Sequence, residues 1–170
     1  MSEKPKLEDV VETVEAGEWL AYLEERFGLG RELFGDVLIF RQSTKVVSLA
    51  RREIEPPAKG PFVAIGLPFL HVRGAVPKLT TVATMRFGPR ATRNVVTLAA
   101  GQLGSFLERR EIALESKQES LLTGPGHVIA RYEGLVLGLG LYRREDEKGR
   151  LHGLMPKTWK EVQPPPTSPS

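Results

Sequence analysis

An α+β fold is predicted by three observations. Apolar residues recur at helical spacing near the N-terminus, short β-branched runs alternate with polar or glycine turns along the rest of the chain, and one more amphipathic helical stretch stands between strands in the second half. Leu7, Val10, Val11 and Val14, followed by Leu20, Leu23 and Phe27, predict one amphipathic helix that Gly17 interrupts and Gly28 ends, with Asp9, Glu12, Glu24 and Glu25 on its solvent face. Leu33 and Phe34 suit a short helical turn. Residues 37–40 and 46–49 read as a hairpin around Gln42, Ser43 and Thr44. Prolines 56, 57 and 61 then break the pattern, which resumes as strands at residues 62–65 and 67–72.

A second unit opens with a strand at residues 93–98, bounded upstream by Gly88 and Pro89. A helix at 99–110 follows, with Leu103, Phe106 and Leu107 on one face and the basic pair Arg109 and Arg110 in its last turn, where cations complement the helix dipole. After a polar stretch at 115–120, Thr123, Gly124, Pro125 and Gly126 form a turn. A hairpin at 128–132 and 135–142 then crosses Glu133 and Gly134, and a shorter strand at 151–155 follows a charged loop at 145–150. This organisation predicts an α+β domain over residues 1–90, a second domain over 92–162 that folds alone, and a disordered tail at 163–170, which is dominated by Pro, Thr and Ser.

Composition narrows the functions open to the chain. It has 170 residues and 41% hydrophobic content, enough for a packed core, and no cysteine, which excludes a disulfide framework, thiolate metal sites and a catalytic thiol. Three scattered histidines make a metal cluster an unpromising expectation. A single asparagine, Asn94, with abundant Arg and Glu, suggests a high-temperature source. No apolar run is long enough to span a bilayer and the first residues lack a secretory pattern, so the expectation is a cytoplasmic protein.

Charge is unevenly distributed. Residues 1–60 carry 9 Lys/Arg against 12 Asp/Glu, net −3, and residues 61–160 carry 15 against 8, net +7. The basic half is the one that would meet a polyanion, because each neutralised phosphate releases condensed counterions. Phosphate-loop, nucleophile-elbow and zinc-protease motifs are all missing from the sequence, so neither an enzyme nor a cofactor is expected. The run Gly134, Leu137, Gly138, Leu139, Gly140 is not a dinucleotide fingerprint, since it lies within an apolar strand, where close packing or a bulge accounts for the glycines. His71, between Leu70 and Val72, reads as a semi-buried structural histidine. His127 and His152 flank strands of the basic half, where a nucleic-acid contact is chemically reasonable.

Gly126, His127, Val128, Ile129, Tyr132, Gly134, Leu137, Gly138 and Gly140, followed by Pro156 and Lys157, resemble the PUA domain, a small β-barrel module of RNA-modifying enzymes and ribosome-assembly proteins. The match covers about residues 92–162. The segments 137–142 and 151–157 also resemble the C-terminal RNA-binding region of RNA cytosine-C5 methyltransferases, and the upstream α+β segment is similar to the pre-PUA domain of two-domain ribosome-biogenesis factors. The resemblance implies a pre-PUA-like domain followed by a PUA-like small mixed β-barrel with a helix. It further implies an RNA surface comprising Gln102, Arg109, Arg110, Thr123, Gly124, Gly126, His152, Lys157 and Lys160. The methyltransferase cysteine and cofactor-binding domain have no counterpart here, and residues 152–155 are less basic than in those enzymes. The leading expectation is therefore a non-catalytic protein that binds structured tRNA or rRNA in RNA modification or ribosome assembly. The alternatives are an accessory subunit that delivers RNA to a separate modification enzyme, and a protein-interaction module.

Overall fold

The computed structural model describes residues 5–57 and 64–158, and within them the architecture is mixed α+β, with two sheets and four α-helices. The predicted first helix is divided into α1 (Leu7–Val10) and α2 (Gly17–Phe27). Between them the chain is extended enough for Thr13 to bridge to Phe40, so Val14 reaches the core from a strand-like segment rather than from a helical stripe. Gly28 ends α2 as expected, in the left-handed conformation at φ 68°, and a 3₁₀ turn follows at Arg31–Phe34.

The first sheet runs in the order β1 (Val37–Arg41), β2 (Val46–Arg51), β3 (Leu67–His71) and β4 (Lys78–Leu79), antiparallel throughout. The hairpin around Gln42 therefore forms where predicted. Of the strand expected at residues 62–65, 62 and 63 lie outside the described residues, and Ala64 and Ile65 are not in a strand. In this first segment β4 and helix α3 (Thr81–Phe87) were not expected, and in the second the short strand at Glu111–Ala113 was not. Thr80 caps α3, its Oγ1 accepting from the Ala83 N–H at 3.1 Å.

The second sheet is mixed, in the order β5 (Val95–Thr97), β7 (Gly126–Tyr132), β8 (Leu135–Glu145), β9 (Lys148–Gly153) and β6 (Glu111–Ala113). The β5–β7 pair is parallel and the others antiparallel. Helix α4 (Ala100–Leu107) follows β5. It is shorter than predicted. Leu107 is its last residue and Arg109 takes φ 62°, so Arg109 and Arg110 lie beyond the helix rather than in its last turn. The polar stretch at 115–120 includes a 3₁₀ turn, Ser116–Glu119. The charged loop expected at 145–150 is instead a tight hairpin, with Asp146 and Glu147 both at positive φ, 48° and 61°.

The glycines of β8 do what close packing requires. Leu137 is the extra residue where the β7–β8 register shifts, and a Cβ on Gly140 would stand 2.6 Å from Leu151 Cδ1. The two edge strands of this sheet approach each other through side chains. Gln118 Nε2 donates to Thr97 O in β5 at 2.8 Å, Gln102 Nε2 donates to Ala113 O in β6 at 3.0 Å, and the two amides also bond each other.

The two sheets share apolar packing. One buried cluster joins Leu23, Phe27, Phe34, Val47, Phe69 and Leu79 of the first segment to Val95, Ile129 and Leu139 of the second. A separate cluster around Val96, Phe106, Val128, Tyr142 and Leu151 lies within the second segment alone. The connecting segment is also pinned, because Arg131 Nη2 donates to Gly88 O at 2.5 Å and Ala91 O at 3.0 Å. No helix among the described residues is long and apolar enough to cross a membrane.

Candidate nucleic-acid interface

The glycine turn is built on a buried amide. Asn94 precedes β5, is fully buried and adopts φ 51°, a left-handed conformation that asparagine tolerates better than most residues. Its Nδ2 donates to Arg26 O at 2.6 Å and to Thr123 Oγ1 at 2.9 Å, and its Oδ1 accepts from the Thr123 N–H at 3.0 Å. Arg26, at the end of α2, completes the node. Its Nε donates to His127 O at 2.9 Å and its Nη2 to Gly124 O at 3.0 Å. A Cβ on Gly126, which has φ 129°, would lie 3.1 Å from the Arg26 guanidinium. The turn is thus held from behind by a cation of the acidic half, which the charge distribution along the sequence does not reveal.

In front of the turn, a cleft of about 420 Å³ is lined by Ser116, Glu119, Leu122, Thr123, Gly124, Pro125, Tyr142 and Arg144. The Tyr142 hydroxyl donates to Glu119, and desolvation followed by that carboxylate raises its pKa. A Cβ at Gly124 would meet nothing within 4 Å, so the backbone there is open to a ligand. Arg144 is exposed and carries no ion pair among the described residues.

Beside the turn, the strand register places His127, Leu141, His152 and Glu111 in one cross-strand row. Arg143 and Arg150 form the next row on the same face. Glu111 binds both arginines, at 3.7 and 3.9 Å, so these two charges are partly compensated. His127 is half-buried, and desolvation, then Lys78, then Arg26 lower its pKa.

The residues expected to contact RNA fall into separate groups. Thr123, Gly124 and Gly126 are together at the turn. Arg109, Arg110 and His152 lie at the corner where the end of α4 approaches β9: Glu111, the residue after Arg110, pairs with His152, and a Cβ on Gly153 would lie 2.3 Å from Phe106 O. Within that group Arg110 is paired with Glu108 at 2.7 Å, and Arg109 is half-buried with an Nε that has no hydrogen-bond partner among the described residues. Of the two arginines only Arg110 is exposed. Gln102 spends its amide on the bridge between the sheet edges, so it holds the fold together there. Lys157 is exposed and Lys160 lies outside the described residues, as does the 163–170 tail.

Three contributors were not expected: Arg26, Arg144 and Lys78. His71 was read as semi-buried, but as the last residue of β3 it is exposed, because the strand ends at the sheet margin. Among the described residues, no group of three or more His, Cys, Asp or Glu is placed to hold a metal ion. Neither protein-family models nor curated proteins yield a match to this chain, so the geometry of the site is what bears on its function.

Proposed function

We propose that the chain is a non-catalytic RNA-binding protein whose second sheet, with α4, is a PUA-like barrel. The glutamine bridge between β5 and β6 supports the barrel reading, since it requires the two edges of the sheet to curl toward each other. The observation that carries RNA binding is the glycine turn. It is fixed by Asn94 and Arg26, open at Gly124, and bordered by a cleft lined by Arg144, which has no ion pair among the described residues. Such a turn offers backbone N–H groups and charge to a phosphate without reorganisation on binding.

Mobility shifts with structured tRNA and rRNA fragments, repeated over a salt series, test this function. Replacing Arg144 and Lys157 together by Ala should weaken binding about tenfold at low salt and flatten the salt slope by roughly 0.7–0.9 for each phosphate left unneutralised. The control, Lys6→Ala with Lys45→Ala in the acidic half, should leave affinity nearly unchanged. Absence of any shift at low salt, or equal weakening in the control, would refute the assignment.

A further inference from the structure

We infer that the seam between the two sheets holds a second phosphate-binding site, built from His71, Lys78 and His127 with Arg26 behind them, and that it takes a backbone phosphate of the bound RNA. The inference rests on the RNA-binding function proposed above and adds a contact that the first sheet shares with the PUA-like unit.

The geometry begins in the first sheet. His71 and Lys78 face each other across the β3–β4 ladder, and both line a small cavity together with Thr81 of α3. Leu79 adds a wall from the first segment, and Leu139 and Leu154 belong to the second, so the cavity straddles the seam. His127 stands in the next same-face row from Leu139, two register positions along, since Leu139 pairs with Ile129 and Leu141 with His127. Lys78 is near enough to act electrostatically on both imidazoles, and Arg26 acts on His127.

The chemistry selects an oxyanion. Among the described residues, no carboxylate lines the cavity, neither Lys78 nor Arg26 has an ion pair, and the Arg26 guanidinium bonds only to carbonyls. Holding Lys78 and Arg26 both within electrostatic reach of His127 with no acid in the cavity wall costs electrostatic free energy that a bound anion would recover, and the two imidazoles can add hydrogen bonds to it. The cavity, about 40 Å³, is far smaller than the pockets of roughly 300 Å³ or more that enclose drug-sized ligands, so it suits oxygen atoms of a phosphate and not a base. His71 is exposed while Lys78 and His127 are half-buried, so the cavity is open to a ligand from the His71 side.

The test uses the full chain and reads the three histidine ring resonances by NMR while inorganic phosphate, and separately a short RNA hairpin, is added. His71 and His127 are expected to shift with both probes, with the hairpin acting at lower concentration. Lys78→Gln should suppress those shifts, lower hairpin affinity five- to tenfold and reduce the salt slope by roughly 0.7–0.9. Lys78→Glu should do so more strongly, with far-UV circular dichroism confirming that each variant is folded. If the hairpin binds while His71 and His127 stay silent and Lys78→Gln binds as the parent does, the seam site is wrong and the RNA-binding function stands. If phosphate shifts both rings but no RNA binds, RNA is eliminated as the source of the phosphate and the proposed function falls with it. Silence toward both probes overturns the site altogether.

Discussion

Replacing Asn94 by Ala should be among the most damaging single changes to this protein. The substitution removes three hydrogen bonds, two donated by Nδ2 and one accepted by Oδ1, at a position with no solvent access. At about 0.5–1.5 kcal/mol each, their removal amounts to roughly 3 kcal/mol, and it leaves Arg26 O and the Thr123 N–H without their partner. Alanine at φ 51° adds about 1 kcal/mol of backbone strain, which Asn94→Gly would avoid. For a chain of this size the total corresponds to a fall in Tm of roughly 10 °C. Urea unfolding monitored by circular dichroism and tryptophan fluorescence should show the midpoint falling with the slope unchanged, and Asn94→Gly losing about 1 kcal/mol less than Asn94→Ala. A decrease below about 1 kcal/mol for the alanine variant would mean that the node contributes little to joining α2 to the glycine turn.

Other perturbations have equally definite outcomes. Gly101 and Gly104 lie in α4 with nothing within 4 Å of an added Cβ, so Gly101→Ala and Gly104→Ala should each raise stability by about 0.5–1 kcal/mol in thermal melts. Gly153→Ala should destabilise by about 3 kcal/mol, the upper part of the overpacking range, because its Cβ would meet the backbone oxygen of Phe106 rather than a movable side chain. His71 and His127 both have lowered pKa values in the fold, chiefly through desolvation and next through Lys78. The unfolded chain therefore binds more protons there, and their contribution to stability is present above the unfolded value near 6.5 and lost as pH falls through the lower folded values. Tm should accordingly drop between pH 7.5 and 5, and a His71→Gln, His127→Gln double variant should show a shallower drop. The isolated fragment 92–162 should melt below the intact chain, since separation exposes Val95, Ile129 and Leu139 and removes the Arg26 bonds; an equal Tm would show that the shared cluster contributes nothing to the second unit.

Local rules made much of the fold legible in the sequence. The hairpins at 37–51 and 126–145, the strand at 95–97 and the helical stop at Gly28 follow from period-two alternation, turn chemistry and the need for positive φ, all of which operate within a few residues. The sequence was less informative where a distant partner decides. Apolar spacing alone could not separate one helix from α1 plus an extended segment, because the bridge from Thr13 to Phe40 determines the break. Likewise the two-residue β4 depends on pairing with β3, and Arg109 leaves α4 as the chain turns toward β6. For the site, the glycine turn and the surplus of positive charge were readable in the linear sequence. What only the tertiary structure decided is which charges serve it. Arg26 comes from the acidic half, Gln102 is consumed between sheet edges, and His71, Lys78 and His127 converge although about fifty residues separate His127 from the other two, because sheet pairing and the shared apolar cluster bring together side chains whose separation along the chain carries no information about their distance in space.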